Sequence, residues 1–315
     1  MRASGETSAK TYLPRAELIE AHPGSLFAPA CGVPLGYHYL IAILQAPETG
    51  RRWNMVRSLF PDRTRRFRAL NTDREPFGVL AEEFAEAYSG PVQSGCFGKH
   101  WGFRRPDGAP LLMTSADDLE WTEGDLVRVS GRPVGRATRL AIVDVDVPLV
   151  CTVRPFLVTG TVAGHPVRGA LFHEAIHMPA GRELFPSPYT DRLQRAWCQF
   201  VTEFEDGTVQ AGDLLWGHDG FSALVVQSTD TAGLVSTDVE ANVEVEGDPA
   251  FPGRAVFTAA DQRWVWEPAP RGGCWPVLAG APVGHRMREG VVRQAGETRT
   301  VAVGHSILEA YTGRL

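Results

Sequence analysis

The sequence predicts an all-β, mostly antiparallel protein built as sandwiches or barrels. Three observations carry this expectation. Short segments rich in β-branched and aromatic residues recur along the chain, bounded by Gly, Pro, Asp or Asn. Several of them alternate, as where Val243 and Val245 oppose Glu244 and Glu246, so one face meets a core and the other meets water. Helix-period patterns are scarce, while 33 Gly and 23 Pro imply many short elements separated by turns.

Along the chain, Arg15–Gly24 (RAELIEAHPG) is expected to form a short helix. The first strong strand, Tyr37–Leu44, opens with Tyr37 and Tyr39 on one face and His38 on the other. The arginine-rich stretch Pro61–Arg74 reads as a solvated loop before a helix. In Arg74–Gly90 the apolar residues Phe77, Leu80, Phe84 and Tyr88 recur every three or four positions and glycine follows, which predicts a helical insertion at about 74–89. Strands are then expected over Leu126–Gly131, Arg139–Val147 and Phe156–Gly164. Asp191–Trp197 has room for one helical turn. Further strands follow at Ala196–Phe204, Ser222–Thr229, Asp238–Glu246, Gln262–Pro268 and within Glu289–Gly304. The sequences Pro106–Ala109 (PDGA), Glu205–Thr208 (EDGT) and Gln294–Glu297 (QAGE) are hairpin turns. Two β units joined near Cys151–Phe156 divide the chain into residues 1–150 and 151–315.

Composition narrows the function. A formal net charge of -6 argues against a nucleic-acid surface. Five scattered cysteines without a C-x-x-C pair read as reduced thiols, and the N-terminus lacks an apolar signal segment, so a cytoplasmic protein with no membrane span is expected. The chain has no G-x-S-x-G, P-loop or G-x-G-x-x-G following a strand, so no nucleotide or dinucleotide cofactor is expected.

One motif pulls the other way. His173-Glu174-Ala175-Ile176-His177 spells H-E-x-x-H, a zinc-hydrolase signature that needs a helix to bring both imidazoles onto one ion. Gly169 before it and Pro179-Ala180-Gly181 after it leave little room for a helix, so Val167–Met178 is predicted as a strand ended by Pro179. In a strand, His173, Ala175 and His177 share one face, while Glu174 and Ile176 share the other. Histidine titrates near neutral pH, which suits proton transfer. No metal site is predicted.

Several stretches together resemble the lipocalin-like superfamily of carotenoid 1,2-hydratases, kievitone hydratase-like proteins and AttH-type proteins, which also holds decalin-forming Diels–Alderase-type cyclases. They are Val158–His177 (VTGTVAGHPVRGALFHEAIH), Arg195–Gly212 (RAWCQFVTEFEDGTVQAG) and Gly290–Gly313 (GVVRQAGETRTVAVGHSILEAYTG), with a looser echo in Phe97–Ser115. His177-Met178-Pro179 stands where that group has a His-Ser-Trp-Gly run. The resemblance implies two consecutive lipocalin-like β-barrel or sandwich domains and a ligand chamber lined from both. It also implies a cofactor-independent hydratase, isomerase or cyclase acting on a hydrophobic small molecule, terpenoid or polyketide-like.

Within that frame His173, Glu174, His177 and Glu309 are the candidate catalytic residues. A carboxylate beside a histidine in an apolar chamber has a raised pKa and can protonate an alkene or carbonyl. Tyr37, His38, Trp101 and Trp197 are candidate substrate contacts. So are Trp264 and Trp266, which share a strand face, and His305, which shares one with Ile307, Glu309 and Tyr311. A non-catalytic carrier of a hydrophobic ligand is the alternative, and an H-E-x-x-H zinc hydrolase is a further one.

Overall fold

The computed structural model describes residues 12–71, 81–82, 87–270, 272–275 and 283–315. Its strands fall into two antiparallel sheets, of which the first curls toward a barrel and the second forms half of one. The first holds β1 (Arg15–Ile19), β2 (Leu35–Gln45), β3 (Arg52–Leu59), β4 (Arg63–Asn71), β5 (Ala81–Glu82), β6 (Gly90–Pro91), β7 (Gln93–Phe97), β8 (His100–Arg104), β9 (Pro110–Thr114), β10 (Leu119–Glu123), β11 (Val127–Pro133), β12 (Ala137–Ile142), β13 (Leu149–Val162) and β14 (His165–His177). The second holds β15 (Gln194–Phe204), β16 (Val209–Gly217), β17 (Ala223–Ser228), β18 (Leu234–Ser236), β19 (Glu240–Glu246), β20 (Phe251–Ala259), β21 (Gln262–Pro268), β22 (His285–Gln294) and β23 (Val301–Tyr311).

Most connections are hairpins between sequence neighbours. Three of the exceptions build the centre: β2 pairs with β14, β11 pairs with β13, and β15 pairs with the C-terminal β23. Gly108 and Gly207, at φ 88° and 84°, hold the left-handed turn positions that their Asp-Gly sequences foretell.

Three apolar clusters organise the packing. One fills the first sheet, with Leu40, Trp53, Phe103, Trp121, Phe156 and Leu171. A second fills the second sheet, with Phe200, Phe257, Trp264 and Trp266. The largest lies between the sheets and takes Tyr37, Ile43, Phe172 and Ile176 from one side and Trp197, Val201, Leu215 and Ile307 from the other. Consequently β2, β13 and β14 are buried on both faces, which is why LIAIL, LVCTVRPFLV and ALFHEAIH read as apolar runs instead of alternating.

Several local expectations change. Arg15–Ile19 is a strand on β12, not a helix, because edge pairing outweighs the weak helical preference of a short polar segment. Arg63–Asn71 is likewise a strand, paired with β3, where a loop is expected. Of the expected helix, residues 74–80 and 83–86 lie outside the described residues, while Ala81–Glu82 pairs in extended form with Leu70 and Asn71. Val143–Val147 leaves the strand that begins at Ala137. Asp191–Trp197 keeps its helical turn only through Leu193. Cys151–Phe156 lies within the continuous strand β13, and the sheets change over between His177 and Gln194, so β13 and β14 belong to the first sheet. Among the described residues no helix is long and apolar enough to cross a membrane.

Candidate active site between the two sheets

The segment carrying the H-E-x-x-H match is strand β14, and its alternation divides the motif. His173 and His177 point away from the second sheet, while Glu174 points toward it. His173 is fully buried and its Nε2 lies 2.8 Å from His38 Nδ1, with His38 tilted against Phe27 at 4.6 Å and near Phe103 at 5.1 Å. Burial holds both imidazoles well below their ordinary pKa, His173 at about 3, so the pair is neutral and shares one N–H between facing nitrogens. Trp101 stacks outside them on Phe27, at 5.7 Å. The ring nitrogens of His177 lie 3.3 Å from the Val150 carbonyl oxygen and 3.0 Å from that of Ala28, and the single N–H of the neutral ring donates to one of them. These contacts make His177 a strand-end clamp. The two histidines of the motif therefore serve different partners, and the helical geometry of a zinc hydrolase does not form.

The opposite face is different. Across the first sheet one rung reads Ser58, Tyr39, Glu174, Val153 and Thr138. Across the second, a rung reads Glu289, Ile307, Gln199, Asp213 and Val225. The side-chain amide of Gln199 bridges the two, donating to Glu174 Oε1 at 2.5 Å. Burial raises the Glu174 carboxyl to about 8; the Gln199 bond opposes the shift, and the Asp213 and Glu309 carboxylates add to it. Asp213 is raised to about 6 by burial, held back by hydrogen bonds from Trp197, Thr138 and Gln199. Its bond from Trp197 Nε1 spans 3.4 Å. Between about pH 6 and 8 the site thus holds a neutral acid and an ionised carboxylate on either side of one amide.

The neighbouring rung adds a second polar group. Glu309 pairs across the strands with Trp197 and Met287, and its Oε1 meets His285 Nε2 at 2.5 Å. Glu309 retains 14% of its side-chain exposure, so this end of the inter-sheet face reaches solvent. Tyr37 closes the edge, its hydroxyl accepting from the Leu184 backbone N–H at 2.9 Å. Burial, with Tyr39 beside it, pushes the Tyr37 phenol well up, so it stays protonated.

The structure therefore brings Glu174, Glu309, Tyr37 and Trp197 to one face, and His305 lies farther along it, cross-strand from Val201. It does not bring His173, His177, His38 or Trp101 there, because they belong to the interior or rim of the first sheet. Trp264 and Trp266 share a face, but it is the interior of the second sheet. Gln199, Asp213 and His285 escape the sequence-level selection. A signal existed for two of them: Gln199 alternates in phase with Trp197, and Asp213 is a lone carboxylate inside an apolar strand, AGDLLW. Among the described residues no group of three or more His, Cys, Asp or Glu is placed to hold a metal ion.

No protein-family model matches the sequence, and no curated protein matches it. Solved structures do. The chain is similar to a putative AttH from Nitrosomonas europaea, at 12% identity and a TM-score of 0.46, covering 94% of this chain and 97% of that one. It is similar to kievitone hydratase from Nectria haematococca, at 9% identity and a TM-score of 0.42 over 96% and 99% of the chains. It is also similar to CghA with Sch210972, at 13% identity and a TM-score of 0.43 over 96% of each. Two of the printed names, AttH and kievitone hydratase, are names borne by the group that the sequence resembles.

Proposed function

We propose that the face between the two sheets is the active site of a cofactor-independent enzyme that acts on a hydrophobic small molecule by hydration, isomerisation or cyclisation. Glu174 is its general acid. One observation carries the proposal: a carboxyl group enclosed between two sheets, raised to about 8 and held by a single amide donor. Gln199 occupies Oε1, which leaves the proton on Oε2 as a donor.

The chemistry follows from that proton. Transfer from Oε2 to an alkene carbon forms a C–H bond and leaves a carbocation beside the Glu174 carboxylate. Water then adds its oxygen to the cation and returns a proton to Glu174, or a neighbouring C–H bond breaks, its proton passing to the Glu174 carboxylate while its electron pair forms the new double bond. In a cyclisation the same Oε2–H is donated to a substrate carbonyl, while the apolar walls hold the reacting ends together. Asp213, ionised where Glu174 is neutral, stabilises the positive charge through the Trp197–Gln199 layer, and the His285–Glu309 pair is the proton acceptor nearest solvent. The apolar residues Phe172, Ile176, Val201 and Ile307 of the cluster between the sheets support a hydrophobic substrate class.

The test is product formation from a panel of apolar alkenes and enones, followed by chromatography. Turnover is expected to fall about 100-fold or more in Glu174→Gln. In the wild type it should decline as pH rises through about 8, because the acid form is lost there. Turnover indifferent to Glu174 overturns the proposal. So does tight retention of unchanged ligand by both proteins, which is the behaviour of a carrier.

A further inference from the structure

The inter-sheet face has a second polar cluster, on the far side of Ile307 from Gln199. Arg52 and Asn54, from β3, reach across to Glu289 of β22: Arg52 Nε donates to Oε2 at 2.9 Å and Asn54 Nδ2 to Oε1 at 2.7 Å. All three are buried, and both Glu289 oxygens are satisfied. The spare capacity lies around that pair. Arg52 Nη2, Asn54 Oδ1 and both ring nitrogens of His305 are enclosed without a hydrogen-bond partner, in side chains 7%, 0% and 1% exposed. A buried polar group left unpaired is costly, and four such atoms in one cluster form an incomplete site.

The charge of the cluster says what completes it. Arg168 sits on the same face of β14 as Glu174, six residues before it, and is exposed at the rim. Arg52 and Arg168 are the charges that act on His305, and burial keeps that imidazole neutral, with one N–H to donate. Two permanent cations therefore act on this imidazole, and one of them, Arg52, is paired with the carboxylate of Glu289. We propose that this cluster is a carboxylate-binding subsite, which makes the substrate of the site above an apolar carboxylic acid. Arg52 Nη2, Arg168 and the His305 N–H donate to the carboxylate; the acceptors Asn54 Oδ1 and the second imidazole nitrogen take hydrogen bonds from water entering with it.

Strand geometry fixes the length of the ligand. Glu289 and Gln199 lie on one rung of the second sheet, two strands apart, so their Cα atoms are about 10 Å apart. Gln199 touches Glu174 and Glu289 touches Arg52, while Arg168 stands about 20 Å from Glu174 along β14, so a chain of at least about eight to ten carbons is needed to link the carboxylate subsite to the acid. Ile43, Phe172, Val201 and Ile307 belong to the apolar cluster between the sheets. The headgroup stays near the rim, where Arg168 meets solvent.

The inference rests on the inter-sheet face being the ligand site, and calorimetry with decanoate and methyl decanoate, both below micelle-forming concentrations, separates the two claims. Decanoate is expected to bind the wild type more tightly than the ester. Arg168→Ala and His305→Phe should each weaken decanoate about 10-fold or more and leave the ester unchanged. The double variant Arg52→Met/Glu289→Met removes the buried pair together, so that neither charge is stranded, and should abolish the preference for the acid. Equal binding of acid and ester, or decanoate affinity indifferent to Arg168 and His305, overturns the subsite while the inter-sheet site stands. Failure of both ligands to bind overturns both.

Discussion

Replacing Glu174 by glutamine removes one buried proton-binding group, and the effect on stability can be worked out from the directions of the neighbouring shifts. The folded protein holds Glu174 at about 8 against an ordinary 4.5. The folded state therefore binds this proton more tightly than the unfolded chain, so the associated stability is complete below about pH 4.5 and is lost as pH rises toward 8. Asp213 behaves alike, but its loss runs only from 3.8 to about 6. The buried histidines His38, His173 and His305 have the opposite sign: their folded pKa values lie below 6.5, so stability rises with pH and the rise is finished once the unfolded histidines lose their protons. From about pH 7 to 8, Glu174 thus dominates the slope. One proton corresponds to about 1.4 kcal/mol per pH unit. Urea unfolding at half-unit steps across this window should show wild-type stability falling by roughly 1 kcal/mol, and the Glu174→Gln curve should run flatter by that amount. Parallel curves would show that Glu174 is ionised in the folded protein at neutral pH, and the acid role would fail with it.

Three further outcomes follow from the same contacts. Asp213→Asn removes a negative neighbour that raises Glu174, so the pH at which Glu174 ionises, read by carboxyl carbon NMR, should move down. Glu289→Ala strands the buried Arg52 charge and should cost about 3–5 kcal/mol in urea unfolding, whereas Arg52→Met/Glu289→Met should cost clearly less. Trp266→Ala empties a fully buried position inside the second sheet and should cost about 3–5 kcal/mol, yet the folded fraction should keep its Glu174 titration because the indole does not face the acid.

The sequence made the fold class legible because strand periodicity and Asp-Gly turns are local signals. Gln262–Pro268 is a strand with the predicted bounds, and the face division of Tyr37, His38 and Tyr39 agrees with their contacts. Pairing was not legible. Arg15–Ile19 becomes a strand because β12, distant in sequence, accepts its backbone hydrogen bonds, and Arg63–Asn71 because it folds back on the neighbouring β3, a pairing that its own arginine-rich composition does not reveal. The site was half legible for the same reason. Alternation in HEAIH separates Glu174 from the histidines, but which face meets the second sheet depends on how the sheets stack. The bridge from Glu174 to Gln199, 25 residues on, and the sharing of Asp213 by Trp197 and Thr138 exist only after that stacking.

Strand β14 is a party wall: its even-numbered residues furnish one room and its odd-numbered residues the other. Deleting one residue from the Ala163-Gly164 turn while β2 and β13 stay in place would turn the wall around, sending imidazoles where the acid stood and a carboxylic acid among Phe27 and Phe103. The two rooms cannot be redecorated separately. A bulky replacement for His38 on one side would push the backbone that aims Glu174 on the other, so variants chosen to tune the acid need not touch its own room at all.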